Sequence, residues 1–318
     1  MNLLHEAAHI ALRDCMGVQP HERVLVVTDS QRRSIGQALF AAATELAAEA
    51  FVLEMQPRTV DGEEPPPLVA EAMTRAEVVI CPTTASLTHT EARRNACKAG
   101  ARVGTMPGIT EEVMTRTLRA DYHQIAQRTR KLAAILTNGK TARVTTPAGT
   151  DITIPIEGIQ AIASTGLVQE PGSFGNLPSG EAYLMPREGE AEGVIVVDGS
   201  LAGIGLITDE PVRIVVERGM AVSIEGGAQA RAFLRTIEQV GEDARNLAEL
   251  GVGTNDMARI NGTILEDEKV LGTVHLALGN NVSMGGTVNV PFHVDGVLRN
   301  PTLTIDGQTV LEEGNLRL

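Results

Sequence analysis

Along the first third of the chain, short apolar runs alternate with stretches whose apolar residues recur at helical spacing. Residues 3–17 predict a helix, and VQPHERVLVVTD (18–29) gives a turn followed by a buried strand, Val24 to Val27. An alanine-rich helix is expected from about Ile35 to Ala50, then a strand over 51–55 and an acidic, proline-rich loop at 60–67. A helix around Leu68–Arg75, a strand over 77–84, a helix over Glu91–Lys98, a strand over 101–108 and a helix from Thr110 to Ala134 follow. Strands alternating with helices at these lengths predict βαβ units, hence an α/β domain over residues 1–136 with a parallel sheet wrapped by helices.

Beyond about residue 137 the period changes. TARVTTPAGTDITIPIEG (141–158) is alternating and β-branched around the turn Pro147–Thr150, which predicts a hairpin. Short strands joined by glycine turns occupy 193–227, and a helix is expected over Ala228–Glu242. Glu249 falls near the end of a helical segment that breaks at Gly251 and Gly253. GTVHLALG (272–279) and VNVPFHVD (288–295) read as strands. The second domain, 137–318, is therefore expected to be mainly antiparallel β (α+β) and to carry the metal site.

Composition narrows the function classes. No run of eighteen apolar residues is present, so no membrane partner is expected. MNLLHEAAHIALRDC places charged residues where a signal peptide is apolar, which points to a cytoplasmic protein. Cys15, Cys81 and Cys97 are widely spaced and match no metal or redox pattern, so reduced, mostly buried thiols are expected. A net charge of −13 disfavours a nucleic-acid partner, and with no Trp and two Tyr there is little to stack on a base or sugar.

The candidate chemistry is concentrated between Asp267 and Asp295. Strand alternation puts His293 and Asp295 on one face, and His275 lies on the preceding strand. Gly272, Gly279, Gly285 and Gly286 permit sharp turns and close approach there. Two imidazoles and a carboxylate form a plausible set of ligands for a divalent metal. Glu181 enters a strand in NLPSGEAYLMP (176–186), and Glu249 lies in NLAELGVGTN (246–255). Three carboxylates and two imidazoles would suit two divalent cations bridged by a carboxylate and a water. A separate motif, His5-Glu6-Ala7-Ala8-His9, fits the H-E-x-x-H zinc pattern. No third ligand stands out within the next helix, and the same residues serve as an ordinary amphipathic helix.

GTDIT (149–153), NLPSGEAYLMP, AELGVGTN (248–255), DEKVLGTVHLALG (267–279) and HVD (293–295) occur in this order. In this the chain resembles the aminopeptidase T family of metallopeptidases, often labelled leucyl aminopeptidases. The resemblance covers most of the C-terminal half and, more loosely, the N-terminal part including MGVQPHERVLVVTD. It implies a hydrolase that removes N-terminal residues from peptides, working as a homodimer with two zinc, cobalt or manganese ions. Glu181, Glu249, His275, His293 and Asp295 match that family's metal ligands, and Glu181 would serve in catalysis as well. Those peptidases carry a tyrosine shortly after the first histidine. Residues 276–286 have none, and of the two tyrosines, Tyr122 and Tyr183, the latter is the one that could replace it. A related branch of the same fold resembles 2,5-dihydroxypyridine dioxygenase, and there His275, His293 and Asp295 would hold one Fe(II) against a small aromatic substrate. The peptidase is the leading expectation, the dioxygenase its alternative, and a metal-binding protein without activity the third.

Overall fold

The structure, a computed structural model, describes residues 2–318. The chain forms two compact units, one comprising residues up to Ala126 together with Ser164–Ser179, the other Gln127–Ala163 and Gly180–Leu318. The division differs from a single cut after 136. The helix Tyr122–Asn138 straddles it, and 164–179 returns to the first unit because Phe174–Asn176 pairs with the strand Arg102–Pro107.

In the first unit the strands Glu49–Met55, Arg23–Asp29, Val78–Thr83, Arg102–Pro107 and Phe174–Asn176 lie side by side in that order, all parallel. Helices occupy Leu3–Ile10, Arg33–Leu46, Pro67–Met73, Glu91–Lys98 and Glu111–Thr117. Side chains such as Leu25, Val27, Val79 and Val103 pack one core of the sheet. The helix expected over Thr110–Ala134 is two helices. The Asp121 carboxylate accepts hydrogen bonds from the backbone N–H of His123 at 3.0 Å and of Gln124 at 3.1 Å, starting a new helix there. Cys15 and Cys81 are buried and Cys97 is half-buried, all three as free thiols.

The second unit holds two antiparallel sheets of eight and seven strands. The predicted hairpin forms from Thr141–Thr145 and Asp151–Pro155. In the seven-stranded sheet, His293–Leu298, Val274–Gly279, Leu247–Gly253 and Glu181–Leu184 are consecutive neighbours. Leu184, Leu250, Val252, Leu276 and Leu278 point from it into the main hydrophobic core. Burial of each such side chain contributes about 1.5–3 kcal/mol. Period-2 alternation then sends the odd-numbered residues of these strands to the opposite face. The expected strand over 288–295 begins only at His293. Among the described residues no helix is long and apolar enough to cross a membrane.

Candidate metal centre

Cross-strand register assembles the site. Ala277 pairs with Glu249 on one side and Asp295 on the other, Gly279 pairs with His293, and Gly253 pairs with Glu181. Gly251 pairs with both His275 and Tyr183. Directly paired residues share a face, so Glu181, Tyr183, Glu249, His275, His293 and Asp295 all stand on the side away from the leucine core. Between them the positions are small: Gly251, Gly253, Ala277 and Gly279.

That composition is a spatial requirement. A Cβ at Gly251 would lie 2.0 Å from His275 Nε2, so the imidazole fills the space a side chain would take. Glu249 sits on a fully buried strand, not at a helix end as the sequence suggested, and a register shift between Leu247 and Glu249 sets its direction.

His275 is fully buried, and its Nε2 lies 3.2 Å from Glu249 Oε1 and 3.5 Å from Glu181 Oε2. His293 Nε2 lies 3.6 Å from both Glu249 Oε2 and Asp295 Oδ1. Its Nδ1 is 2.8 Å from the Asn280 carbonyl oxygen, which accepts from an Nδ1–H and leaves the Nε2 lone pair for a ligand. Ligand atoms of Glu249, His293 and Asp295 all lie within 4.8 Å of one another. The His293 side chain keeps 34% of its surface exposed, which makes its side of the cluster the open one.

Two residues that the sequence reading passed over complete the charge balance. Lys269 is buried and donates to Glu181 Oε1 at 2.8 Å and to Glu268. Burial opposes its charge, but Glu181 and Glu268 outweigh it and raise its pKa. Burial pushes the Glu268 carboxyl up to about 7, against the pull of Lys269. Burial also raises Glu249, and Asp295 adds to this while the His275 bond opposes it. For Tyr183, burial followed by the charges of Glu181 and Glu249 pushes the hydroxyl up. Burial disfavours charge on both histidines. Glu249, Glu181 and Asp295 outweigh it at His275, raising it to about 9, and Asp295 and Glu249 do so at His293, raising it to about 10. Such an excess of buried carboxylate is what a divalent cation relieves, and the set of two imidazole nitrogens with carboxylate oxygens fits one.

Of the five residues chosen from the sequence, Glu249, His293 and Asp295 form the mutual cluster, while His275 adjoins it through Glu249 and Glu181 adjoins His275. Lys269 and Glu268 lay inside DEKVLG, where a charged triplet reads as a solvated loop; no periodic signal marks it. The chain turns inward there because Asn255 binds it on both sides, its N–H donating to the Lys269 carbonyl at 2.8 Å and its own carbonyl accepting from Leu271 N–H at 3.0 Å.

A protein-family model described as "NicX: 2,5-dihydroxypyridine 5,6-dioxygenase" matches residues 4–318. A 2,5-dihydroxypyridine 5,6-dioxygenase of Pseudomonas putida is 26% identical over 260 residues, covering 77% of this chain and 72% of that protein. Among solved structures, 2,5-dihydroxypyridine dioxygenase from Pseudomonas putida superposes with a TM-score of 0.85 at 21% identity, over 99% of this chain and 96% of that one. AmpT from Thermus thermophilus superposes with a TM-score of 0.72 at 18% identity, over 99% of each chain.

These matches correct the leading expectation. The likeness to AmpT is one of fold, whereas the family match and the relative both name a dioxygenase, so the reading as a leucyl-type metallo-aminopeptidase, or as a hydrolase at all, falls. The ordered motifs that suggested a peptidase include the strands and turns of the fold that both structures share.

Proposed function

The chain belongs to the 2,5-dihydroxypyridine 5,6-dioxygenase (NicX) family, and from that premise we propose that it opens the ring of a dihydroxylated pyridine with O2 at one Fe(II) held by His275, His293 and Asp295. The observation that carries this reading is the family match along residues 4–318, over a chain that folds two imidazoles and a carboxylate onto one face of a sheet. In the reaction the bond between ring carbons 5 and 6 breaks, and each carbon gains one oxygen atom of O2. The iron, when bound, would activate O2 and hold the ring hydroxyl oxygen.

The chain's own residues do the rest. Glu249, whose carboxyl is pushed up by burial, accepts the proton that a ring hydroxyl gives up on binding. Lys269 fixes Glu181 beside His275, so that this carboxylate orients the buried imidazole. The small residue Gly251 makes room for the His275 ring behind the ligands, and the exposed edge of His293 faces the way in.

Protein purified without air and loaded with Fe(II) tests this. It should hold about one iron per chain and consume O2 and 2,5-dihydroxypyridine in equal amounts. His275→Ala and His293→Ala should lose both iron and activity. Glu249→Ala should keep its iron and turn over more slowly. Iron-loaded protein that leaves dihydroxypyridines untouched sinks the proposal.

A further inference from the structure

The H-E-x-x-H pattern near the N-terminus has a use the dioxygenase chemistry does not absorb. His5 and His9 are four residues apart on the helix Leu3–Ile10, which places both imidazoles on one face with ring centroids 5.2 Å apart. A third group, invisible in the sequence, comes from the last turn of the next helix, Arg33–Leu46. The Glu45 carboxylate turns one oxygen to each ring, with His5 Nε2 3.1 Å from Oε1 and His9 Nε2 2.8 Å from Oε2. All three ligand atoms lie within 4.8 Å of one another.

We propose that His5, His9 and Glu45 form a second metal site that takes a borderline-soft divalent cation such as Zn(II). Two imidazole nitrogens and one carboxylate oxygen are a ligand set zinc uses, with the remaining position left to water. Exposure suits a loadable site: the imidazoles keep 22% and 21% of their surface, and Glu45 keeps 55%.

The plainer alternative is a pair of His⁺–Glu⁻ ion pairs. In it each Nε2–H donates to a Glu45 oxygen, and a divalent cation would replace those two protons between the same ligand atoms. The motif's glutamate does not join them. Glu6 Oε2 lies 3.2 Å from Arg119 Nε, so the pattern supplies metal ligands without the general base of a peptidase. The bound ion would clip the first helix to the end of the second.

The test uses the full-length protein, dialysed against buffered Zn(II), with zinc counted per chain and affinity measured. Relative to wild type, His5→Ala/His9→Ala should bind about one zinc ion fewer, and Glu45→Gln should bind that ion at least about tenfold more weakly. Zinc should raise the wild-type Tm by about 2–4 °C more than that of the double variant. All variants should keep dioxygenase activity, since none of these residues belongs to the iron centre. If the double variant fails to fold, Glu45→Gln alone decides, because it changes only an exposed carboxylate. Equal zinc content and affinity in wild type and either variant overturns the site.

Discussion

Gly251 faces His275 across two adjacent strands, and a Cβ added to it would stand 2.0 Å from the imidazole Nε2. No real side chain tolerates that distance, and both backbones are held by neighbouring strands. Gly251→Ala must therefore displace the ring. Overpacking of this kind costs about 1–3 kcal/mol, and misplacing a reacting group by about 1 Å lowers turnover by about 100-fold. Iron content, Tm and O2 uptake of Gly251→Ala check this together: a folded variant with wild-type iron and rate would show that His275 has room to move.

Lys269 should be the residue whose loss the fold feels most in this unit. Its ammonium is the cation shared by Glu181 and Glu268. Lys269→Met keeps the volume but leaves two buried carboxylates facing each other, and breaking a buried pair in this way costs about 3–5 kcal/mol. Denaturant unfolding of the metal-free protein measures it. Adding Glu181→Gln to Lys269→Met should recover part of the loss, because one of the stranded charges is then gone.

These residues also mark where sequence reading works and where it stops. The parallel sheet was legible because each strand is a short apolar run and each helix a 3.6-residue stripe. His293 and Asp295 were legible because a period of two puts them on one face. The Glu249 strand was not, since LAELGVG is buried at every position and shows no alternation. Its glycines looked like the end of a helix, whereas Gly251 makes room for a histidine 24 residues later in the chain. Glu45 was hidden for a similar reason: it lies 36 residues beyond His9, and only the packing of two helices brings it near. The choice between peptidase and dioxygenase was not legible in the ligand residues, which suit both chemistries, and only the missing tyrosine over 276–286 bore on it.

Removing the metal should silence the enzyme without unfolding it. The sheet under the ligands is held by Leu250, Val252, Leu276 and Leu278, none of which touches solvent appreciably. A chelator that enters past the exposed edge of His293 should abolish O2 uptake while far-ultraviolet circular dichroism stays unchanged. Restoring the ion at 100-fold excess over its Kd should return about 2.7 kcal/mol of stability. Collapse of the circular dichroism on chelation would show instead that the ion organises the sheet.

The first unit carries a pH dependence of its own. Arg102 is buried and donates from Nη1 and Nη2 to Glu22 at 2.9 and 2.6 Å, and from Nε to the Met16 carbonyl at 3.0 Å. Burial pushes the Glu22 carboxyl up, but the bonds from Arg102 and from the Gln19 backbone N–H outweigh it, so its pKa falls below the ordinary 4.5. A carboxyl whose folded pKa is depressed contributes stability that is fully present above its unfolded pKa. That stability is lost as pH falls through the folded value. Stability of the wild type should therefore decline below about pH 4.5 more steeply than that of Glu22→Gln. Above that range Glu22→Gln should be the less stable protein, because Arg102 keeps its charge and loses its counter-ion. Unfolding measured at pH 7 and at pH 3.5 gives both numbers, and a gap that does not shrink in acid would mean the pair adds nothing to folding through its charge.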